Sequence, residues 1–340
     1  MMILAGMATI AGLIVPEPRF RLGLLELGAL LTVALVWQCA RTQAAKLTYL
    51  AVVLISALSL IGSDLLIERQ PQWAHALLLT SVFVKLAAVP LFFWLLALAD
   101  ELPAVVLGLI IAVVDMAAFS EFLISTHSYS ISSSALLLIA AATSFLAALL
   151  MLSQRSLKRL LVLSTVEDVG FLLLGVFSIN IIGLDGAIFA AATHALAKAL
   201  LFICLSGPEA DGALEGEPKG LAARYPVAAF GFLFGMLAML GIPPTMGFLG
   251  RWRLYETALQ IGWPLAAVFI VSSIFALIAY VLALTRFWWG PPDDANPPAA
   301  DEHPKKEPFV LQTVIVVLVA LILAAGIWPN ALQLLMGGRP

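Results

Sequence analysis

The chain has 340 residues, of which 62% are hydrophobic and 11% charged, with a mean hydropathy of +1.04. Soluble domains carry about 45–50% apolar and about 25% charged residues, so this chain has too few polar side chains to cover a water-facing surface and must take the bilayer as its solvent. A formal net charge of −3, with basic residues scattered through short loops, gives no footing for a nucleic acid or another polyanion.

Taken in chain order, Met1–Val15 is apolar but lacks a basic start and a small-residue cleavage site before Pro16. It reads as a short first membrane helix rather than a cleavable signal. The apolar runs Leu22–Ala40, Leu47–Ile67, Trp73–Ala99, Pro103–Ile124 and Ile131–Leu152 follow. After them come Leu157–Ile179, Asp185–Ser206, Pro226–Leu249, Ala258–Trp289 and Phe309–Trp328. That makes about eleven segments, judged against the roughly 20 residues needed to cross about 30 Å of hydrocarbon. The runs are continuous rather than alternating, which predicts helices and not a barrel. Only two connections are long: Gly207 to Arg224, with Glu209, Asp211, Glu215, Glu217 and Lys219, and the Pro- and charge-rich Gly290 to Pro308, a predicted solvated loop. Neither is long enough for a domain, so a single membrane domain is expected.

Lys and Arg in alternate loops set the expected orientation. One side holds Arg41, Lys46, Arg155, Lys158, Arg159, Lys219, Arg224, Arg286, Lys305 and Lys306. The other holds Arg19, Arg21, Arg69, Arg251, Arg253 and Arg339, and Lys85 and Lys198 within the runs complete the 18. The richer side should be cytoplasmic, which puts the N-terminus inside and the C-terminus outside a bacterial-type cytoplasmic membrane. Cys39 and Cys204 lie in apolar runs outside any CxxC and read as small core residues, with no disulfide or metal role.

Ionisable residues deep in these runs carry the functional signal, because each costs about 2.5–3.5 kcal/mol at mid-bilayer on insertion scales. They are Glu26, Lys85, Asp115, Glu167, Asp168, His194 and Lys198. Singly, each has a structural reading: Glu26 and Lys85 could simply pair two helices, and Asp115 and Glu121 could face a partner subunit. Together, a file of buried carboxylates, lysines and a histidine is what a proton relay requires. Two runs also carry breaks. Pro90 in VKLAAVPLFFWLL cannot donate to the carbonyl of Leu86, just past Lys85. Pro243 and Pro244 in LGIPPTMGFLGRW interrupt a helix expected to end at Arg251. Broken helices in corresponding halves of a chain point to a transport pathway. The sequence has no GxGxxG or Walker A loop, no Ser/His/Asp motif and no paired haem ligands, since among His75, His127, His194 and His303 only His194 is deep. Neither cofactor, metal nor nucleotide is expected.

Four stretches together resemble the antiporter-like subunits of respiratory complex I, of membrane-bound hydrogenases of the formate-hydrogenlyase or hydrogenase-4 type, and of multisubunit Mrp-type antiporters. They are LGLLELGALLTVALVW, VKLAAVPLFFWL, LKRLLVLSTVEDVGFLLLGV with HALAKALLF, and GLAARYPVAAFGFLFGMLAMLGIPPTMGFLGRW, in the family's order from Leu22 to about Trp252. The resemblance implies an all-α polytopic fold of two inverted five-helix repeats with broken helices, here residues 1–125 and 131–290, followed by a final helix in 309–329. It places Glu26 on the family's key glutamate, Lys85 on its broken-helix lysine, and His194 and Lys198 on the histidine and lysine of the second half-channel. Arg251 stands where the family usually has a lysine, and an Arg releases its proton far less readily. Where the family often has a histidine or lysine, VVLGLIIAVVDMAAF offers Ile110 and Met116, with Asp115 beside them. Glu167 in STVEDVG is closer to the hydrogenase branch. By the resemblance the chain begins at the family's fourth helix.

The function these features imply is a proton-translocating, non-redox subunit of a redox-driven membrane complex, with Glu26, Lys85, Asp115, Glu167, Asp168, His194, Lys198 and Arg251 on the pathway. Other membrane subunits and lipid are the expected partners, and the Ala-rich AIFAAATHALAKAL and LLIAAATSFLAALL suit contact faces for them or could equally pack within the chain. The alternatives are a non-conducting structural subunit that anchors neighbours, and part of a cation/proton antiporter or bicarbonate-linked transporter.

Overall fold

A computed structural model describes residues 1–126, 134–215, 219–290 and 307–328. His127, Glu217, His303, Lys305, Lys306, Arg339 and most of the Gly290–Pro308 loop lie outside them. Every regular element among the described residues is helical: α1 Met2–Ile14, α2 Pro18–Cys39, α3 Gln43–Leu66, α4 Pro71–Lys85, α5 Phe93–Glu101, α6 Ala104–Thr126 and α7 Ser134–Met151. The second part holds α8 Leu157–Phe177, α9 Ile181–Ala210, α10 Leu221–Arg224, α11 Pro226–Met239, α12 Gly247–Ile261, α13 Trp263–Ala283 with a π-helical turn at Leu284–Trp288, and α14 Phe309–Ile327. Among the described residues eight helices are long and apolar enough to cross a membrane, and Met2–Ile14 and Pro226–Met239 are shorter apolar helices. The protein is thus an all-α, polytopic integral membrane protein.

Local chemistry sets the helix starts. Pro18, Pro71 and Pro226 open α2, α4 and α11, where a missing N–H costs nothing. Side-chain oxygens of Glu17, Thr42 and Asn180 accept the N–H groups of Phe20, Ala45 and Ile182 at 2.7, 3.3 and 3.0 Å. On one loop face, Glu101 accepts N–H bonds from Arg41 and Thr42 at 2.9 and 3.0 Å. The Thr42 and Arg41 donors hold its carboxyl below the usual carboxylate range.

Outward positions such as Ile3, Leu58, Leu65, Phe309 and Val310 stay exposed and apolar, as a lipid-facing surface demands. Inside, α8 is buried on every face along nearly its whole length, which makes it the central helix of the bundle. Ala140, Ala141, Ser144, Ala147 and Ala148 of α7 are buried, and a Cβ at Gly170 of α8 would press on the backbone N of Ser144. Small residues here let two backbones approach, as membrane helices require. Both Ala-rich segments offered as partner faces therefore bury small residues within the chain, including Ala187, Ala190, Ala191 and Ala197 of α9.

Both proline breaks are present. Helix α4 stops at Lys85, the chain passes through Ala87 in a left-handed conformation (φ 54°) and the Val89–Pro90 bond is cis. Helix α11 stops at Met239 before a cis Pro243–Pro244 bond, and helix resumes at Gly247. Several boundaries differ from expectation, most clearly those of α12, α13 and α9. Helix α12 carries Arg251 in its interior and runs on to Ile261, because no breaker follows until Gly262, so the next span begins at Trp263. Asn180 starts α9 before Asp185, and α9 continues through Pro208 to Ala210. Its end is held by Glu209, which accepts the Ala104 N–H at 2.5 Å and pairs with Lys158 at 2.8 Å.

The outer helix α14 buries only Ile315, Val319 and Ile322, yet it touches the second break directly: Met246 N–H donates to the Ile322 carbonyl at 3.1 Å. Gly326 makes this approach possible, since a Cβ there would overlap the Pro244 carbonyl oxygen. Gly326→Leu is therefore expected to destabilise the protein by about 1–3 kcal/mol, the usual cost of overpacking. Thermal aggregation in mild detergent checks this, and an unchanged midpoint would show that α14 does not brace the break.

Candidate functional site

The ionisable residues within the bundle gather into two clusters. In the first, Lys85 is the last residue of α4, where a cation meets the negative end of the helix. Its Nζ is fully buried and donates to Glu26 Oε1 of α2 at 2.6 Å and to Glu121 Oε2 of α6 at 2.7 Å. The expected proximity of Glu26 and Lys85 is thus present. Glu121 is not turned to a neighbouring subunit but is buried against Lys85. A cleft of about 560 Å³, lined by Arg19, Glu26, Ser63, Asp64 and Ser125 among others, leads from one loop face to Glu26. A second cleft of about 380 Å³ opens near the other end of α2, between Arg41, Asp100, Glu101, Lys158, Ser206 and Glu209. None of the eight expected pathway residues lines it.

Peptide groups freed at the first break find partners. Trp94 Nε1 donates to the Val84 carbonyl at 3.1 Å, and Val89 N–H donates to Thr143 Oγ1 at 3.2 Å. This satisfies backbone that would otherwise be stranded away from water.

The second cluster is larger. Adjacent Glu167 and Asp168 lie midway along α8, and His194 and Lys198 share a face of α9 at the i, i+4 spacing. His194 bridges two carboxylates: Nδ1 lies 2.8 Å from Asp168 Oδ2 and Nε2 lies 3.2 Å from Asp115 Oδ2 of α6. Asp115 is therefore also matched from inside the chain. Arg251 takes both oxygens of Glu167, at 3.2 and 2.9 Å, and Asp168 Oδ1 at 2.7 Å. Its Nε donates to the Met239 carbonyl at 3.2 Å, at the end of α11, and its guanidinium sits 3.7 Å over the Phe171 ring. A planar fork that spans two carboxylates, a carbonyl and a ring is a role lysine cannot fill.

Lys198 touches no carboxylate. Its Nζ donates to the Leu161 carbonyl at 2.7 Å and to Ser164 Oγ, while Tyr280 OH donates to the same Ser164 oxygen at 2.8 Å. Ser164, Tyr280 and Glu121 are the polar groups that residue reading left off the pathway. Glu121 carried a usable signal, an acidic residue in a helix-length apolar run. Ser164 and Tyr280 carried none, since hydroxyls are ordinary in membrane helices. Helix α6 joins the clusters, for Asp115 and Glu121 stand about 9 Å apart along its axis at 1.5 Å per residue.

A family model described as NADH:quinone oxidoreductase/Mrp antiporter, transmembrane, matches residues 24–276. The chain belongs to this family. The NADH-quinone oxidoreductase subunit N of Moorella thermoacetica is 29% identical over 274 residues, 76% of this chain and 56% of that protein. Overall the chain spans about half the length of the curated relatives it matches. A chain of the Mrp complex from Dietzia sp. DQ12-45-1b superposes with a TM-score of 0.84 at 21% identity, covering 98% of this chain and 75% of that one. A chain of respiratory complex I from Thermus thermophilus with bound Aureothin gives a TM-score of 0.76 at 25% identity, covering 96% and 77%.

The geometry makes Arg251 a structural linchpin. Arg251→Met should leave Glu167 and half of Asp168 unmatched, at a cost of about 3–5 kcal/mol for one broken buried pair, and little folded protein should accumulate. Arg251→Lys should recover only part of it. Monodisperse yield after detergent extraction measures both, and a wild-type yield of Arg251→Met would show the clamp to be dispensable.

Proposed function

We propose that this chain is a proton-translocating, antiporter-like subunit of a multisubunit redox-driven membrane complex of the complex I or membrane-bound hydrogenase type. The observation that carries the reading is the pair of buried ionisable clusters joined through α6, the first of them open to a cleft at Glu26. In this reading residues 1–125 and 131–290 form two inverted repeats, each with one broken helix, and 309–329 adds a final span. The N-terminus is cytoplasmic and the C-terminus outside.

The chemistry divides by residue. A neutral imidazole has one N–H and one acceptor nitrogen. With a carboxylate oxygen on each ring nitrogen, His194 fits only if a further proton sits on the ring or on one of the two aspartates. That proton has more than one place to sit, as a relay needs. Lys198 donates to a carbonyl and a hydroxyl, a donor set that a neutral amine satisfies as well as an ammonium. It can give up a proton without breaking an ion pair. Arg251 stays charged and fixes the positions of Glu167 and Asp168. Neighbouring subunits supply the driving reaction, and no electron transfer takes place in this chain.

Arg251 also gives a second reading its footing. A clamped arginine does not itself pass protons, so a non-conducting subunit that anchors its neighbours would keep the same clamp. The two readings separate at Lys198. In proteoliposomes holding the chain with its co-purifying subunits, Lys198→Ala is expected to lower proton translocation about 100-fold, the lower end of what a positioned proton-transfer group contributes. Subunit composition should stay unchanged. Translocation at the wild-type rate would assign the chain to the anchoring role.

A further inference from the structure

The first cluster has more negative groups than positive ones. Glu26 and Glu121 both form their ion pair with the same ammonium, Lys85. The bonded oxygens of the two carboxyls thus stand 2.6 and 2.7 Å from one Nζ, and the remaining oxygen of each, Glu26 Oε2 and Glu121 Oε1, is buried with no hydrogen-bond partner among the described residues. The other charged residues that line the cleft, Arg19 and Asp64, oppose one another in sign. Two bare carboxylates drawn to one ammonium repel, whereas one carboxyl and one carboxylate balance a single lysine.

We infer that Glu26 and Glu121 share one exchangeable proton across Lys85, with Glu121 as the inward acceptor that carries it from the cleft toward the interior of the bundle. The inward step rests on the proton-translocating reading above; the shared proton rests on the geometry alone. Glu26 stands at the cleft with its side chain 16% exposed, and Glu121 is sealed at 2%. In the transfer the O–H bond of the Glu26 carboxyl breaks and an O–H bond forms on Glu121. The ammonium of Lys85 keeps its three protons throughout and shifts its stronger bond from Glu121 to the new Glu26 carboxylate. No other reactant is needed. From Glu121, α6 leads to Asp115 and the His194 bridge.

Infrared difference spectra of the purified complex read the shared proton directly. The wild type should show a carbonyl stretch of a buried, protonated carboxyl that Glu26→Gln and Glu121→Gln each remove, apart from any band of Asp115 or Asp168, since one carboxylate suffices for one ammonium. Persistence of the band in both variants overturns the shared proton. Two variants on different helices keep the test valid if one fails to assemble. In proteoliposomes, Glu121→Gln should lose translocation and Glu121→Asp should restore a measurable rate; wild-type translocation by Glu121→Gln overturns its role as acceptor while leaving the proposed function intact. A wild-type complex that moves no protons overturns the proposed function itself, and the infrared band then still decides the shared proton.

Discussion

Charge in the dry interior of a membrane bundle must be met by charge, and this constraint organises the molecule. Buried one at a time, the ionisable groups would each carry an insertion cost of a few kcal/mol. Brought together, the same groups supply one another's counter-ions and hydrogen bonds. Two clusters result: α2 gives Glu26, α4 gives Lys85, α6 gives Asp115 and Glu121, α8 gives Glu167 and Asp168, α9 gives His194 and Lys198, and α12 gives Arg251. The outer helices α1, α3 and α14 bring no charged residue to either cluster and turn large apolar side chains outward.

The same constraint explains why the helix breaks are tolerated. A proline in a membrane helix strands a carbonyl that water cannot reach. At the first break the Val84 carbonyl accepts from the Trp94 indole as well as from the Ala87 N–H. At the second, Arg251 takes the Met239 carbonyl with the one donor it does not spend on carboxylates or leave free. The cation that closes the second cluster therefore also closes the break in its backbone. Helix α14 completes that closure by accepting Met246 N–H. Backbone repair and charge balance are parts of one arrangement.

Much of the fold was legible because lipid imposes a simple rule on sequence. Long continuous apolar runs can only be helices, and each run read from the sequence contains one. Ends were less legible. Arg251 reads as a helix terminus because a polar residue normally marks the edge of an apolar run, but here its partners on α8 hold it inside α12. Pro208 reads as a stop, yet Glu209 beyond it is fastened by Lys158 and the Ala104 N–H, so the helix continues. Within the site, Glu26, Lys85 and the α8 and α9 residues announced themselves by their cost. The partnership of Glu121 did not: Asp115 and Glu121 point to different sides of α6, toward different clusters, and nothing in linear spacing says which helices lie there.

The members of the second cluster differ in how firmly they are held, and in the proposed relay that difference gives the interior its direction. Arg251 and Glu167 form a bidentate pair in which each glutamate oxygen accepts a guanidinium N–H, and the guanidinium does not give up a proton. Asp168 is held on one side only: one oxygen belongs to Arg251 and the other faces His194. The fixed pair thus orients Asp168, Asp168 orients the imidazole, and the far nitrogen of the imidazole is left to Asp115. Lys198, one helical turn further along α9, sits outside this chain of carboxylates, against Ser164 and Tyr280. In the proposed relay, rigid charge at one end, a bridging imidazole in the middle and a lysine without a carboxylate beyond it form a gradient from immobile to exchangeable. An ion pair placed only to hold helices together would gain nothing from such grading, because it is strongest when every member is as firmly clamped as Arg251.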